Sequence, residues 1–362
     1  MTAQGRRIRR AYGKVWRNSA AQRWAAGHNN KKILTTIAGI CMNIFRLGLL
    51  FSLIWLTGCA SMGIGSRSMD ELTQQYTNQQ SRFVNINGLN IHYRDEGQGP
   101  VLVLLHGVAS SLHTWDGWVE QLQPHYRIIR LDLPGHGLTG PDVTRKRYDI
   151  GYMVDTLDTF LTRLNIEKAH LAGNSLGGYI SWKYAVQHPQ RVDKLILVDA
   201  AGYPQDMPFI MDLASWPVIG EMSQLMMPRF MVGSNIKAAY GNPDKVSSQL
   251  VRRYHDLTLR KGNRKALVQV FRTMKEQSRN PQLGDEVKQI KAPTLLMWGE
   301  EDDWVPLDVL AQFRRDLPVA SVVTYEGVGH LPMEELPVQS ARDAHIFLQT
   351  GQFFSMPVSM GN

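Results

Sequence analysis

The chain has 362 residues, 43% of them apolar and 20% charged, with 31 Gly and 17 Pro, a mixture that excludes a disordered or a fibrous protein. Its net charge of +8 comes from the first 59 residues, which carry ten Lys/Arg and no acidic side chain, whereas residues 60–362 hold 30 basic and 32 acidic side chains. A body so close to neutrality offers no phosphate-neutralising surface, which argues against nucleic acid as a partner.

Both cysteines, Cys41 and Cys59, lie in the basic leader, so the body has neither a disulfide nor a thiolate metal site. Residues 33–56 are mostly apolar and lead into Leu56-Thr57-Gly58-Cys59-Ala60-Ser61. Arg46 interrupts the run, and a charge near mid-bilayer is costly, which argues against one uncut spanning helix. Leu56-Thr57-Gly58-Cys59 resembles the bacterial lipobox, in which cleavage before the cysteine leaves a diacylglyceryl-modified N-terminus. The resemblance makes residues 1–58 a leader with a lipoprotein-type signal and Cys59 the lipidation site. Met42-Asn43-Ile44-Phe45-Arg46 followed by Leu47–Leu56 reads as a compact signal by itself, which points to a start at Met42. Ala60 after the modified cysteine implies the outer membrane of the cell envelope; the alternative is an inner-membrane anchor through residues 33–56. Residues 60–80 are rich in Ser, Gln, Thr and Gly, so 59–81 is expected to be a flexible tether.

From residue 82 the pattern changes. Phe83-Val84-Asn85-Ile86 and Leu89-Asn90-Ile91-His92-Tyr93 alternate across Asn87-Gly88, which predicts a hairpin with a type I′ turn. Val101–Leu105 is a continuous apolar run, as a strand buried on both faces requires. Similar runs recur at 127–131, 169–172, 195–198, 294–298 and 321–325, with helical patterns between them at about 114–123, 149–164, 177–188, 307–316 and 334–348. This alternation predicts an α/β fold, a mostly parallel sheet with helices on both faces. Residues 203–285 break the rhythm, lack a clear strand and read as helical at Lys245–Leu259 and Arg264–Gln277. They are expected to form a helical cap within a body spanning 82–350, with 351–362 as a tail.

Strand 169–172 runs into Gly173-Asn174-Ser175-Leu176-Gly177-Gly178 and a helical stretch. A G-x-S-x-G between strand and helix sets the serine on a strained turn whose neighbours must be small. The Leu176 N–H would then face a developing oxyanion at the helix N-terminus. Such a serine needs a base and an orienting acid. His330 follows strand 321–325 in Gly327-Val328-Gly329-His330, and Asp302 follows strand 294–298 in Trp298-Gly299-Glu300-Glu301-Asp302. All three stand at C-terminal strand ends, where open α/β sheets build their sites. Asp199, after strand 195–198, is the rival acid; Asp303 reads as solvated, and His106 and His136 as loop supports. Eleven scattered histidines without H-E-x-x-H predict no metal, and no G-x-G-x-x-G opens a helix after the first strand, so no cofactor is expected.

With these residues in place, the chain from about 82 to 350 resembles the α/β-hydrolase superfamily, capped serine esterase/lipase type. Ser175, Asp302, His330 is that superfamily's chain order. His106-Gly107, Ser110-Ser111, Trp115 and Asp132-Leu133-Pro134-Gly135-His136-Gly137 match it further. The resemblance implies that the Val108 N–H is the second oxyanion donor beside Leu176. With its lipobox the chain is similar to lipoprotein lipases and esterases of Gram-negative bacteria. It implies acyl-enzyme hydrolysis of a small-molecule ester or lipid, with the membrane as partner through the lipidated N-terminus; the oligomeric state stays open.

Two other readings compete. Gly-Asn-Ser-x-Gly-Gly is also common in carbon–carbon bond hydrolases of ring-cleavage products, where a polar cap group such as Arg229 would meet an acidic dienoate. A non-catalytic envelope lipoprotein using the fold for binding is the alternative of another class, and the complete triad argues against it. The cap holds Met207, Met211, Met222, Met226, Met227 and Met231, which suit core packing and a loosely shaped acyl pocket equally well.

Overall fold

The computed structural model describes residues 62–353; the leader 1–58 with Met42, Cys59 with its lipobox, and tail residues 354–362 lie outside the described residues. Residues 62–80, expected to be a loose tether, instead carry helix α1 (Met69–Tyr76). Ser68 and Glu71 close a reciprocal capping box at its start, which satisfies two otherwise orphaned amides. Leu72 is fully buried in a small apolar cluster with Tyr76, Leu138 and Leu257. Arg67 pairs with Asp256 at 2.6 Å, and the Tyr76 hydroxyl donates to the same carboxylate at 2.8 Å. Polar composition masked a helix that needs only one apolar stripe.

Asn87 and Gly88 hold φ of 51° and 92°, the positive pair a type I′ turn requires. β1 (Ser81–Ile86) therefore folds back on β2 (Leu89–Glu96), with Ile86 opposite Leu89. The remaining strands are β3 (Val101–Leu105), β4 (Arg127–Leu131), β5 (Ala169–Asn174), β6 (Val192–Val198), β7 (Thr294–Gly299) and β8 (Ser321–Tyr325). All eight form one sheet in the order β1-β2-β4-β3-β5-β6-β7-β8, parallel from β4 to β8 and antiparallel at β2.

Alternation along β3 divides the core in two. Val103 and Leu105 face one side with Phe160 of α3 (Ile150–Arg163), Trp182 of α4 (Leu176–Gln187) and Phe313 of α10 (Leu307–Asp316). Leu102 and Leu104 face the other with Trp118 of α2 (Asp116–Leu122) and Phe347 of α12 (Pro337–Thr350). Each such side chain stabilises the fold by roughly 1.5–3 kcal/mol on burial, and the central strands are thereby fixed in register. Between β6 and β7 stand five helices: α5 (Phe209–Ser215), α6 (Pro217–Leu225), α7 (Arg229–Ala239), α8 (Ser248–Thr258) and α9 (Asn263–Ser278). A short helix, α11 (Pro332–Glu335), precedes α12. No helix among the described residues is long and apolar enough to cross a membrane.

Candidate active site

Three strand ends carry strained backbone. Ala109 after β3, Ser175 after β5 and Asp199 after β6 are non-glycine residues with φ of 58°, 54° and 43°. Such conformations cost roughly 1–3 kcal/mol each and persist only where surrounding contacts enforce them. At Ser175 the enforcement is visible: its N–H donates to Val198 O at 3.1 Å, while its carbonyl accepts from Tyr179 and Ala201. Gly177 lets α4 start hard against β3, since a Cβ there would overlap the Leu105 carbonyl. Ser175 is thus held at the first turn of α4, 4% exposed.

His330 and Asp302 meet behind it. The imidazole Nδ1–H donates to Asp302 Oδ2 at 2.7 Å, and the backbone N–H of His330 donates to Ala239 O at 2.7 Å. Asp302 Oδ1 accepts the Trp304 and Val305 amides at 2.7 and 3.0 Å. The Asn174 amide ties the elbow to the histidine loop, donating to His330 O at 3.0 Å and to Val198 O at 3.2 Å. The structure contains the Asp302–His330 hydrogen bond and none from His330 to Ser175 Oγ among the described contacts, a pairing that often tightens only with substrate in place.

Asp199 joins the same buried group. One atom each of Asp199, Asp302 and His330 lie within 4.8 Å of one another, and Asp199 Oδ1 accepts the Gly299 N–H at 2.9 Å. Burial first, and then the Asp302 charge, push the Asp199 carboxyl well above the usual carboxylate range. Although compact enough for an ion, the cluster has its imidazole Nδ1 and three of its four carboxylate oxygens engaged in those hydrogen bonds. It serves better as a proton-holding group than as a cation site.

Val108 and Leu176, the expected oxyanion donors, follow Gly107 and Ser175 directly in the chain. The missing side chain of Gly107 matters because a Cβ there would come within 2.7 Å of Asn174 Oδ1 and 3.2 Å of Ser175 Cβ. The Leu176 N–H belongs to the first turn of α4, where helix amides have no intrahelical acceptor. Gly107, Val108, Asn174 and His330 border a cavity of about 410 Å³ under the cap. Its walls are apolar, with Met222, Met226, Met231, Leu267 and Phe271 among them. The charged lining side chain, Arg264, is engaged by backbone: its guanidinium donates to Gly63 O and Gly65 O at 2.5 Å. Arg229 is not in the lining and donates to Ser248 O.

His106 and His136 lie in supporting loops. His106 Nδ1–H donates to Gly107 O at 2.7 Å while Nε2 accepts the Leu133 N–H at 3.0 Å. His136 Nδ1–H donates to Pro134 O at 3.0 Å. One residue beyond the sequence reading also holds the site. Glu335, 4% exposed, accepts the Gly329 N–H at 2.7 Å and the Gly241 and Asn242 amides at 3.1 Å. It thereby clamps the histidine loop to the end of the cap. Its only sequence signal is an acid five residues after His330, too weak to select it.

A family model described as alpha/beta hydrolase fold matches residues 100–337. The 2-hydroxy-6-oxononadienedioate/2-hydroxy-6-oxononatrienedioate hydrolase of Paraburkholderia phymatum is 30% identical over 270 residues, 69% of this chain and 89% of that protein. An uncharacterized protein of Mycobacterium tuberculosis is 25% identical over 288 residues, 74% of this chain and 81% of that one. Among solved structures, a membrane phospholipase A described as a bacterial virulence factor matches with a TM-score of 0.66 and 26% identity, covering 85% of this chain and 98% of the other.

Proposed function

The chain belongs to the α/β-hydrolase family, and from that premise we propose that it is a serine hydrolase of carboxylic esters with apolar acyl groups. The observation that carries this reading is the Asp302–His330 pair opening onto a 410 Å³ apolar cavity whose charged lining residue is already committed. In the proposed reaction Ser175 Oγ attacks the ester carbonyl while His330 Nε2 takes its proton. The Asp302 carboxylate keeps Nδ1 protonated and offsets the imidazolium charge. The oxyanion rests on the Val108 and Leu176 amides. The imidazolium then gives its proton to the departing alcohol, and water activated at Nε2 releases the acid from the acyl-enzyme.

The P. phymatum relative is named for a dioate substrate, so carbon–carbon cleavage is the second reading. A dianion calls for free cations, and Arg264 is spent on Gly63 and Gly65, which favours the ester. Turnover of p-nitrophenyl esters of graded chain length, beside a ring-cleavage dienoate, separates the two. Medium- or long-chain esters should be preferred, and Ser175→Ala should lose at least about 10³-fold in kcat and its labelling by a fluorophosphonate. Faster turnover of the dienoate would overturn the ester assignment, and an unlabelled Ser175 in folded wild-type protein would favour a non-catalytic role.

We further propose that the chain is lipid-anchored through Cys59 in the cell envelope. Support comes from Leu56-Thr57-Gly58-Cys59, small residues before a cysteine at the end of an apolar run. Cys59→Ser should abolish acylation and processing. Mass spectrometry of the membrane-extracted N-terminus should find acylated Cys59, whereas an unlipidated peptide spanning residues 50–65 overturns the anchor. A peptide from residues 1–41 would overturn a start at Met42.

A further inference from the structure

The cap presents an apolar face to solvent. Phe209, Trp216, Val218, Met222, Leu225 and Phe230 are all exposed, Leu225 by 72% and Val218 by 71%. Val218, Met222 and Leu225 follow at i, i+4 and i+7, one stripe of α6. Ile219, Ser223 and Met226, the adjacent stripe, line the cavity, and Met222 belongs to both. Helix α6 thus carries cavity lining and uncovered apolar surface on adjacent stripes that meet at Met222. Contiguous exposed apolar surface of this kind marks an interaction site.

Two further observations identify the occupant. Residues 203–285 carry 12 Lys/Arg against 7 Asp/Glu, while the rest of residues 60–362 carries 18 against 25; the cap is the basic part of an otherwise acidic body. Residues 63–67 also lie against this cap. Gly63 O accepts from Met227 N–H at 3.4 Å and from Arg264, and Arg67 N–H donates to Leu259 O at 2.8 Å, with Ile64 exposed between them. Cys59 precedes Gly63 by four residues, a reach of at most about 14 Å. The apolar run 33–56 ends only seven residues before Gly63, about 25 Å. Either anchor would hold this face close to a bilayer.

We propose that the exposed face of α6, with Phe209, Trp216 and Phe230 around it, docks on an anionic lipid surface, so that the cavity opens toward the bilayer from which its ester is drawn. The docking stands without the ester assignment; only the origin of the substrate rests on it. Apolar side chains enter the acyl boundary while the basic cap meets the headgroups, the arrangement interfacial helices use.

The test uses the full chain in phosphatidylcholine–phosphatidylglycerol vesicles. Spin labels go on Leu225→Cys, Phe230→Cys and, outside the cap, Val319→Cys, with the wild-type spectrum of Cys41 and Cys59 as blank. Labels at 225 and 230 should gain access to oxygen and lose access to a water-soluble nickel chelate, while 319 keeps its aqueous profile. A label at 225 that stays accessible to nickel overturns the proposal. So does one shielded from both reagents, which would mean a second copy or another protein covers the face. As a second arm, Val218→Asp/Leu225→Asp should slow hydrolysis of a vesicle-embedded ester more than tenfold while a soluble short-chain ester changes less than twofold. An equal loss on both esters removes the link to substrate supply. Inserted labels without turnover of either ester would keep the docking and overturn the ester assignment instead.

Discussion

Asp199 and Asp302 share one buried space, and two carboxylates there cannot both ionise cheaply. Asp302 accepts two backbone amides and the His330 N–H. Asp199 accepts one amide, and its Oδ2 finds no donor among the described residues. A proton on Asp199, favoured by burial and by the Asp302 charge, resolves this, because the neutral carboxyl then donates toward Asp302. The two acids consequently have different parts, one orienting the histidine and the other supporting that acid. Asp302→Asn should lower kcat by about 10³–10⁴-fold through the wrong imidazole tautomer. Asp199→Asn, which retains a donor, should stay within about tenfold. Ester kinetics on variants with unchanged circular dichroism check this, and the reverse order would move the orienting acid to β6.

At the level of elements, legibility followed the contrast between buried and solvated faces. Strands β3, β5 and β7 are buried almost throughout, and β6 from Leu195 to Val198, so they appear as short apolar runs between polar turns, whereas β4 carries Arg127 and Arg130 and the edge strand β8 buries only Tyr325. Their order, and with it the convergence of Ser175, Asp302 and His330, follows from alternation with helices. Helix α6 was not legible because its polar stripe is only Glu221 and Gln224: it borders a cavity on one face and exposes the apolar Val218, Met222 and Leu225 on the next. Periodicity detects only helices with one wet face. α1 was hidden the opposite way, since Leu72 and Tyr76 are its only buried residues. The Ser68-x-x-Glu71 capping box was the signal that would have exposed it. Asp199 was seen as a rival to Asp302 from its strand end, but a shared proton cannot be read from spacing. Glu335 was missed because its acceptors' partners are backbone amides of Gly329, Gly241 and Asn242, which carry no side-chain signature.

The molecule should be acid-labile, because among the described residues it buries imidazoles in neutral form, His106, His113 and His136 most completely. Burial lowers His106, whose Nε2 must stay unprotonated to accept the Leu133 amide. It lowers His113 and His136 to about 3. In the unfolded chain these groups titrate near pH 6.5. Below that value the unfolded state binds three protons that the native state refuses, so stability falls as pH falls. The slope is up to about 4 kcal/mol per pH unit while all three remain neutral in the fold. Asp199 acts in the other direction, since its raised value destabilises the fold above the ordinary carboxylate range and that cost fades with acid. One such group offsets only part of three. Below about pH 4 Asp132 adds to the loss, because the depressed value of its carboxyl, hydrogen-bonded to His92 at 2.8 Å, favours the fold only while the unfolded chain would also be ionised. Urea midpoints should therefore drop steeply between pH 7 and 5 with little change in the denaturant slope. His136→Asn should remove one histidine's share of that dependence, up to about 1.4 kcal/mol per pH unit, because His136 makes a single hydrogen bond, from Nδ1 to Pro134 O, that an amide can replace. Midpoints constant across this range would mean that the buried imidazoles accept protons without unfolding.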